Sequence, residues 1–67
     1  MNIKEKIGAK VKLLRIEKGW SQEQLAFNAE LNRTYIPGIE KGVRNISITV
    51  IQKIADAFNV EIIELFK

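Results

Sequence analysis

The sequence predicts an all-α fold, a compact five-helix bundle, and three observations carry that prediction. Apolar residues recur at spacings of three and four, which is the signature of one buried helix face. Helix start and stop residues recur at short intervals, with Asn2, Ser21, Asn32 and Ser47 as starts and Gly19, Gly42 and Asn59 as stops. No stretch alternates apolar and polar residues as a half-buried strand does; the β-branched residues follow the helical period instead.

Each element has its own justification. Ile3, Ile7, Val11 and Leu14 mark the inward face of a first helix that Asn2 caps and Gly19 ends. Lys18 falls in its last turn, where the helix dipole favours a cation. Trp20 precedes the next cap and is expected to pack as a hydrophobic staple onto the following helix. Ser21 and Gln24, three residues apart, form a capping box for a second helix from about Gln22 to Ala29, with Leu25, Ala26 and Ala29 inward. Asn32 repeats the start signal for a third helix from about Arg33 to Lys41, with Ile36 and Ile39 inward and Gly42 as its stop. After the basic loop Gly42-Val43-Arg44-Asn45, Ser47 caps a fourth helix whose apolar face is Ile48, Ile51, Ile54, Ala55 and Phe58. A short fifth helix, about Ile62 to Phe66, closes the bundle.

Pro37 conflicts with this scheme. In a helix beginning at Arg33 it removes the N–H that would bond the Arg33 carbonyl and crowds that carbonyl, at a cost of about 3 kcal/mol in a helix interior. Gly38 adds a propensity loss of roughly 1 kcal/mol. The sequence therefore leaves three readings: a kinked third helix, a first turn distorted until a ligand orders it, or a substitution relative to a better-behaved parent. On any of them Pro37→Ser is expected to stabilise the fold.

Composition excludes several function classes. Sixty-seven residues accommodate one small domain, residues 1–67. The chain has no cysteine, so neither a disulfide framework nor a thiolate metal site is available, and no histidine, which removes the usual general base and the commonest metal ligand. The carboxylates are scattered and form no paired constellation, so the expectation is a protein that is not an enzyme and takes no cofactor. No apolar run approaches membrane-spanning length and the N-terminus lacks a signal-peptide core, so a cytoplasmic location is expected, with no membrane partner. The net charge of +3 is unevenly spread: residues 1–20 carry +4, residues 21–40 carry −2, residues 41–53 carry +3 and residues 54–67 carry −2. Such alternating blocks can bring distant basic segments onto one face, matching polyphosphate.

Two capped helices as close as those of residues 21–42 form a helix-turn-helix, an arrangement that can place the opening turn of its second helix in a DNA major groove. The order Leu14-Arg15, Gly19 to Ala26, Asn32 to Ile36, Ile39 to Gly42, Arg44-Asn45 and Ser47 resembles the Cro/C1-type (XRE) helix-turn-helix family over residues 7–66. Within that family, NRTYI-x-GIEKG-x-RN is most like the small controller proteins of restriction–modification systems. The resemblance implies a lambda-repressor-like DNA-binding domain acting as a transcriptional regulator on double-stranded DNA. A phage-type repressor, or an antitoxin or other protein-interaction module, stays open as an alternative. No small-molecule effector is expected.

The resemblance also assigns roles. Arg33, Thr34 and Gly38 match base-reading positions; Arg33 can donate two hydrogen bonds to guanine, Thr34 can meet a base edge, and Gly38 can only permit close approach. Gln22, Tyr35, Lys41, Arg44 and Asn45 match positions that meet the DNA backbone. Arg15 and Glu40 match a partly buried ion pair that ties the first helix to the third. One recognition helix contacts only a few base pairs, and family members bind as two-fold dimers, with half-sites about 34–36 Å apart or a multiple of that. The surplus apolar residues Val50, Ile62, Ile63 and Phe66 are the candidate homodimer interface.

Overall fold

The computed structural model describes residues 1–67 as an all-helical chain: α1 Ile3–Lys18, α2 Gln22–Asn28, α3 Tyr35–Lys41, α4 Ile48–Phe58 and a closing 3₁₀ helix Ile62–Phe66. There are four α-helices, not the five expected. The last segment has the shorter hydrogen-bond step, with Glu64 N–H bonded to the Glu61 carbonyl at 3.0 Å and Lys67 N–H to the Glu64 carbonyl at 3.3 Å. Five residues are too few to propagate an α-helix on their own, and 3₁₀ geometry suits a short closing segment.

The helix ends follow from local chemistry. Asn2 and Ser21 each complete a capping box, the first with Glu5 and the second with Gln24. Ser47 accepts from the Val50 N–H at 3.2 Å and starts α4. Gly19, Gly42 and Asn59 hold the left-handed conformation after α1, α3 and α4, with φ of 72°, 75° and 57°. α2 instead ends at Ala29, and Glu30 takes the positive φ of 57°.

All five segments contribute to one core. Val11 of α1, Leu25 of α2, Ile36 and Ile39 of α3, Ile54 and Phe58 of α4 and Leu65 of the 3₁₀ segment are its largest fully buried side chains. Two residues assigned inward by spacing lie outside: Ile3 and Ile48 are 54% and 66% exposed. Each is the first residue of its helix, where the apolar stripe overruns the packed body. Trp20 is also redirected. Its ring stacks on Phe58 of α4 at 5.5 Å between centroids and 13° between planes, so it ties the α1–α2 junction to α4 instead of stapling α2 alone.

The tightest approach is between α1 and α3. Gly8 is buried, and a Cβ there would stand 2.2 Å from the Ile39 carbonyl oxygen. A Cβ on Gly42 would stand 2.6 Å from Glu5 Cα. Two glycines, one within α1 and one just past the end of α3, thus let backbone lie directly on backbone.

Candidate nucleic-acid interface

The opening of α3 is built differently from a simple capped helix. Asn32 Oδ1 accepts from both the Thr34 N–H and the Thr34 hydroxyl, each at 2.9 Å. Tyr35 N–H bonds the Asn32 carbonyl at 3.0 Å and Ile36 N–H bonds the Arg33 carbonyl at 3.3 Å, a three-residue step that leads into the α-helix. The helix itself begins at Tyr35, two residues later than expected. That shift disposes of the Pro37 conflict. Pro37 is the third residue of α3, within the first turn, where backbone N–H groups have no intrahelical acceptor in any case. The Arg33 carbonyl that proline was expected to orphan is satisfied by Ile36.

Arg33 and Thr34 therefore sit on the turn that feeds α3, and both are exposed. Arg33 Nη1 donates to Glu23 Oε2 of α2 at 2.8 Å, with both side chains more than 70% exposed. Tyr35 is half-buried and carries the Arg44 guanidinium over its ring, 4.0 Å from the centroid. Gly38 makes that contact possible. A Cβ on Gly38 would meet Arg44 Cβ at 3.2 Å and Cδ at 3.7 Å, so the arginine stem occupies the space a side chain would take. The Gly38 carbonyl holds the same loop, accepting from the Val43 N–H at 3.1 Å and the Arg44 N–H at 3.3 Å. Gly38, expected to do no more than permit close approach, is approached in this structure by the stem of Arg44.

Asn45 is exposed and accepts from Lys4 Nζ at 3.4 Å, so the start of α1 joins the loop after α3. Lys41 is exposed at the end of α3. The basic block of α1 nevertheless divides. Lys6 and Lys10 flank a separate shallow depression with Lys67, away from the α3 loop.

Behind this face lies a polar lock. Arg15 donates to both carboxylate oxygens of Glu40, Nε at 2.6 Å and Nη2 at 3.1 Å, and through Nη1 to the Trp20 carbonyl at 2.8 Å. The Arg15 and Glu40 side chains are 14% and 4% exposed. The hydrogen bond to Glu40 raises the Arg15 pKa above its ordinary value, with burial opposing and the Glu40 charge assisting. A raised pKa means the charged pair contributes fully below the unfolded arginine's pKa and is lost only as pH climbs beyond it, far above neutral. Gln22 completes the lock by donating its amide to Glu40 Oε1 at 3.1 Å. Gln22, expected to meet the DNA backbone, spends its side-chain amide on Glu40 in this structure.

The proposed dimer residues do not form one uniform patch. Ile63 is 58% exposed, whereas Val50, Ile62 and Phe66 are half-buried against the core. Two residues of the exposed surface were not singled out from sequence. Phe27 of α2 is 83% exposed, although its position off the Leu25-Ala26-Ala29 stripe could have shown this. Glu23 meets Arg33 across the turn, a partnership that no local spacing reveals.

Comparison with known proteins places this architecture. The Helix-turn-helix family (HTH_3) matches residues 11–65. Control protein C.BamHI of Bacillus amyloliquefaciens is 48% identical over 61 residues, spanning 90% of this chain and 75% of that protein. Control protein C.MunI of a Mycoplasma species is 42% identical over 66 residues, spanning 97% and 89% respectively. Among solved structures, the restriction-modification controller protein C.AhdI of Aeromonas hydrophila superposes with a TM-score of 0.90 at 46% identity, covering 94% of this chain and 96% of that one. A matched family over most of the chain, together with relatives of this identity and coverage, shows that the chain belongs to the Cro/C1-type (XRE) helix-turn-helix family.

Proposed function

We propose that this chain is a sequence-specific transcriptional regulator that binds a pseudo-palindromic operator as a homodimer and serves as the controller protein of a restriction–modification system. The observation that carries the reading is the turn Asn32–Tyr35: Arg33 and Thr34 project outward from a segment whose backbone is held by Asn32 and whose helix is locked to α1 through Arg15 and Glu40. Arg33 reads a guanine through its O6 and N7, and Thr34 meets the neighbouring base edge. Tyr35, Lys41, Arg44 and Asn45 contact phosphates on either side and set the register of the helix in the groove. Identity to two control proteins and to C.AhdI supports the restriction–modification setting. The chain acts by occupying DNA and performs no bond chemistry.

A second copy supplies the second half-site, docking through the surface around Ile63, with Val50, Ile62 and Phe66 supporting it. Selection of binding sites from random duplexes tests the whole reading. The expected result is a palindrome with guanine facing Arg33 in each half and an affinity that falls steeply with salt. Single-site binding that ignores salt overturns it. Sedimentation of Ile63→Glu is expected to show monomer; an unchanged dimer moves the interface elsewhere.

A further inference from the structure

The two arginine–glutamate pairs of this domain use different edges of the guanidinium. Arg15 turns its Nε/Nη2 edge, the side-on fork, onto Glu40. Arg33 bonds Glu23 through Nη1 alone, so the same fork on Arg33 stays free. Guanine presents O6 and N7 as two adjacent acceptors at the major-groove edge, a spacing that a guanidinium fork matches. Glu23 is the second residue of α2 and Arg33 lies on the turn ahead of α3, so the contact bridges the two halves of the motif. Both side chains stand mostly in water, which makes the pair a weak contributor to folding.

Resting on the base-reading role of Arg33 put forward above, we propose that Glu23 is a specificity-determining positioning residue for Arg33. A long exposed arginine samples many rotamers, and losing that freedom on DNA weakens binding. The carboxylate removes part of the freedom in advance while holding only the nitrogen the guanine does not need. It also acts against the wrong partner. An arginine at a groove edge can swing to a phosphate, which rewards every sequence equally; a carboxylate beside it repels the phosphate and keeps the guanidinium turned away. Glu23 thus lowers affinity for DNA in general and raises the preference for guanine.

The test uses the whole chain and the highest-affinity duplex recovered from random-sequence selection. Three probes are compared at one salt concentration: that duplex, the same duplex with adenine replacing the guanine facing Arg33, and an unrelated duplex. The proteins are the parent, Glu23→Gln, Arg33→Ala and the double variant. Glu23→Gln is expected to keep the parent melting temperature and to tighten binding to the unrelated duplex by about fivefold. It is also expected to cut the guanine-over-adenine preference by about fivefold, the upper range for a single exposed ion pair. In the Arg33→Ala background the same substitution should leave the base preference unmoved, because its effect runs through Arg33. An unchanged guanine preference in Glu23→Gln overturns the proposal, as does an equal change with and without Arg33, which would make Glu23 a bulk charge only. A guanine preference that survives Arg33→Ala overturns the base-reading role as well, so the two failures are distinguishable.

Discussion

The seam between α1 and α3 and the turn that leads into α3 are neighbours in the chain, yet they are built on opposite terms. At the seam, Gly8 and Gly42 bring backbone onto backbone, and the largely buried Arg15–Glu40 pair is held further by the Trp20 carbonyl and the Gln22 amide. On the turn, Arg33 and Thr34 stand in water, and Arg33 touches one oxygen of an equally exposed glutamate. The same pair of residue types is therefore a buried lock in one place and a single solvent-exposed contact in the other. Solvent makes the difference. Water screens the outer pair to a small fraction of its Coulomb energy, while the inner pair cannot be separated without leaving a charge stranded.

The largest expected effect comes from breaking the lock. Arg15→Ala strands Glu40 and should destabilise the fold by about 3–5 kcal/mol. A domain of this size has roughly 3–10 kcal/mol in total, so the loss approaches unfolding. Urea denaturation measures it. A variant that melts normally yet binds DNA poorly would mean that Arg15 belongs to the reading edge after all.

Gly8→Ala should come next. Alanine gains up to about 1 kcal/mol of helix propensity over glycine. Here the new Cβ meets a backbone carbonyl that cannot rotate aside, and forcing the helices apart should cost about 1–3 kcal/mol, so the clash wins. A thermal melt that rises on this substitution would show the seam to be looser than the geometry indicates.

The outer side of the comparison predicts the reverse pattern. Arg33→Ala should leave stability within about 0.5 kcal/mol of the parent, as for most surface changes. Operator affinity should fall by about 1–3 kcal/mol per half-site, read by fluorescence anisotropy, with the preference for guanine lost. The smallest effect is expected at Pro37. Because it lies in the first turn of α3, Pro37→Ser removes no strain and only loosens the unfolded chain, so stability should fall by about 0.4–1 kcal/mol. This reverses the gain that the sequence scheme implied, and differential scanning calorimetry decides between them.

The Pro37 reversal shows where sequence reading reaches its limit. Residue types alone point to Asn2 and Ser21 as caps and to the Ser21–Gln24 capping box, while the structure adds Glu5 as the partner that completes the box at Asn2. The inward residues Ile7, Val11, Ile36, Ile39, Ile51, Ile54 and Phe58 divide between the spacing-predicted stripes, and all are buried or nearly so. α3 starts two residues later than its start signal implies, because Asn32 caps a three-residue turn and not the helix itself, and the two arrangements present the same signal in sequence. The apolar stripes extend to Ile3 and Ile48, yet both are exposed, because a stripe has no built-in end and only the packed neighbours define where burial stops.

By itself, the sequence determined most of what is decided within one or two helical turns: which segments are helical, which face of each is apolar, the caps at Asn2, Ser21 and Ser47, and the left-handed stops at Gly19, Gly42 and Asn59. Those outcomes rest on residues three or four apart, whose mutual geometry the backbone already imposes. Only the tertiary structure decided that Trp20 lies on Phe58, that Gly8 admits the Ile39 carbonyl, that Arg44 crosses Gly38 to reach Tyr35, and that Glu23 holds Arg33. Each joins residues on different elements. Their meeting depends on how whole helices dock, which side-chain volume and the exclusion of water settle together.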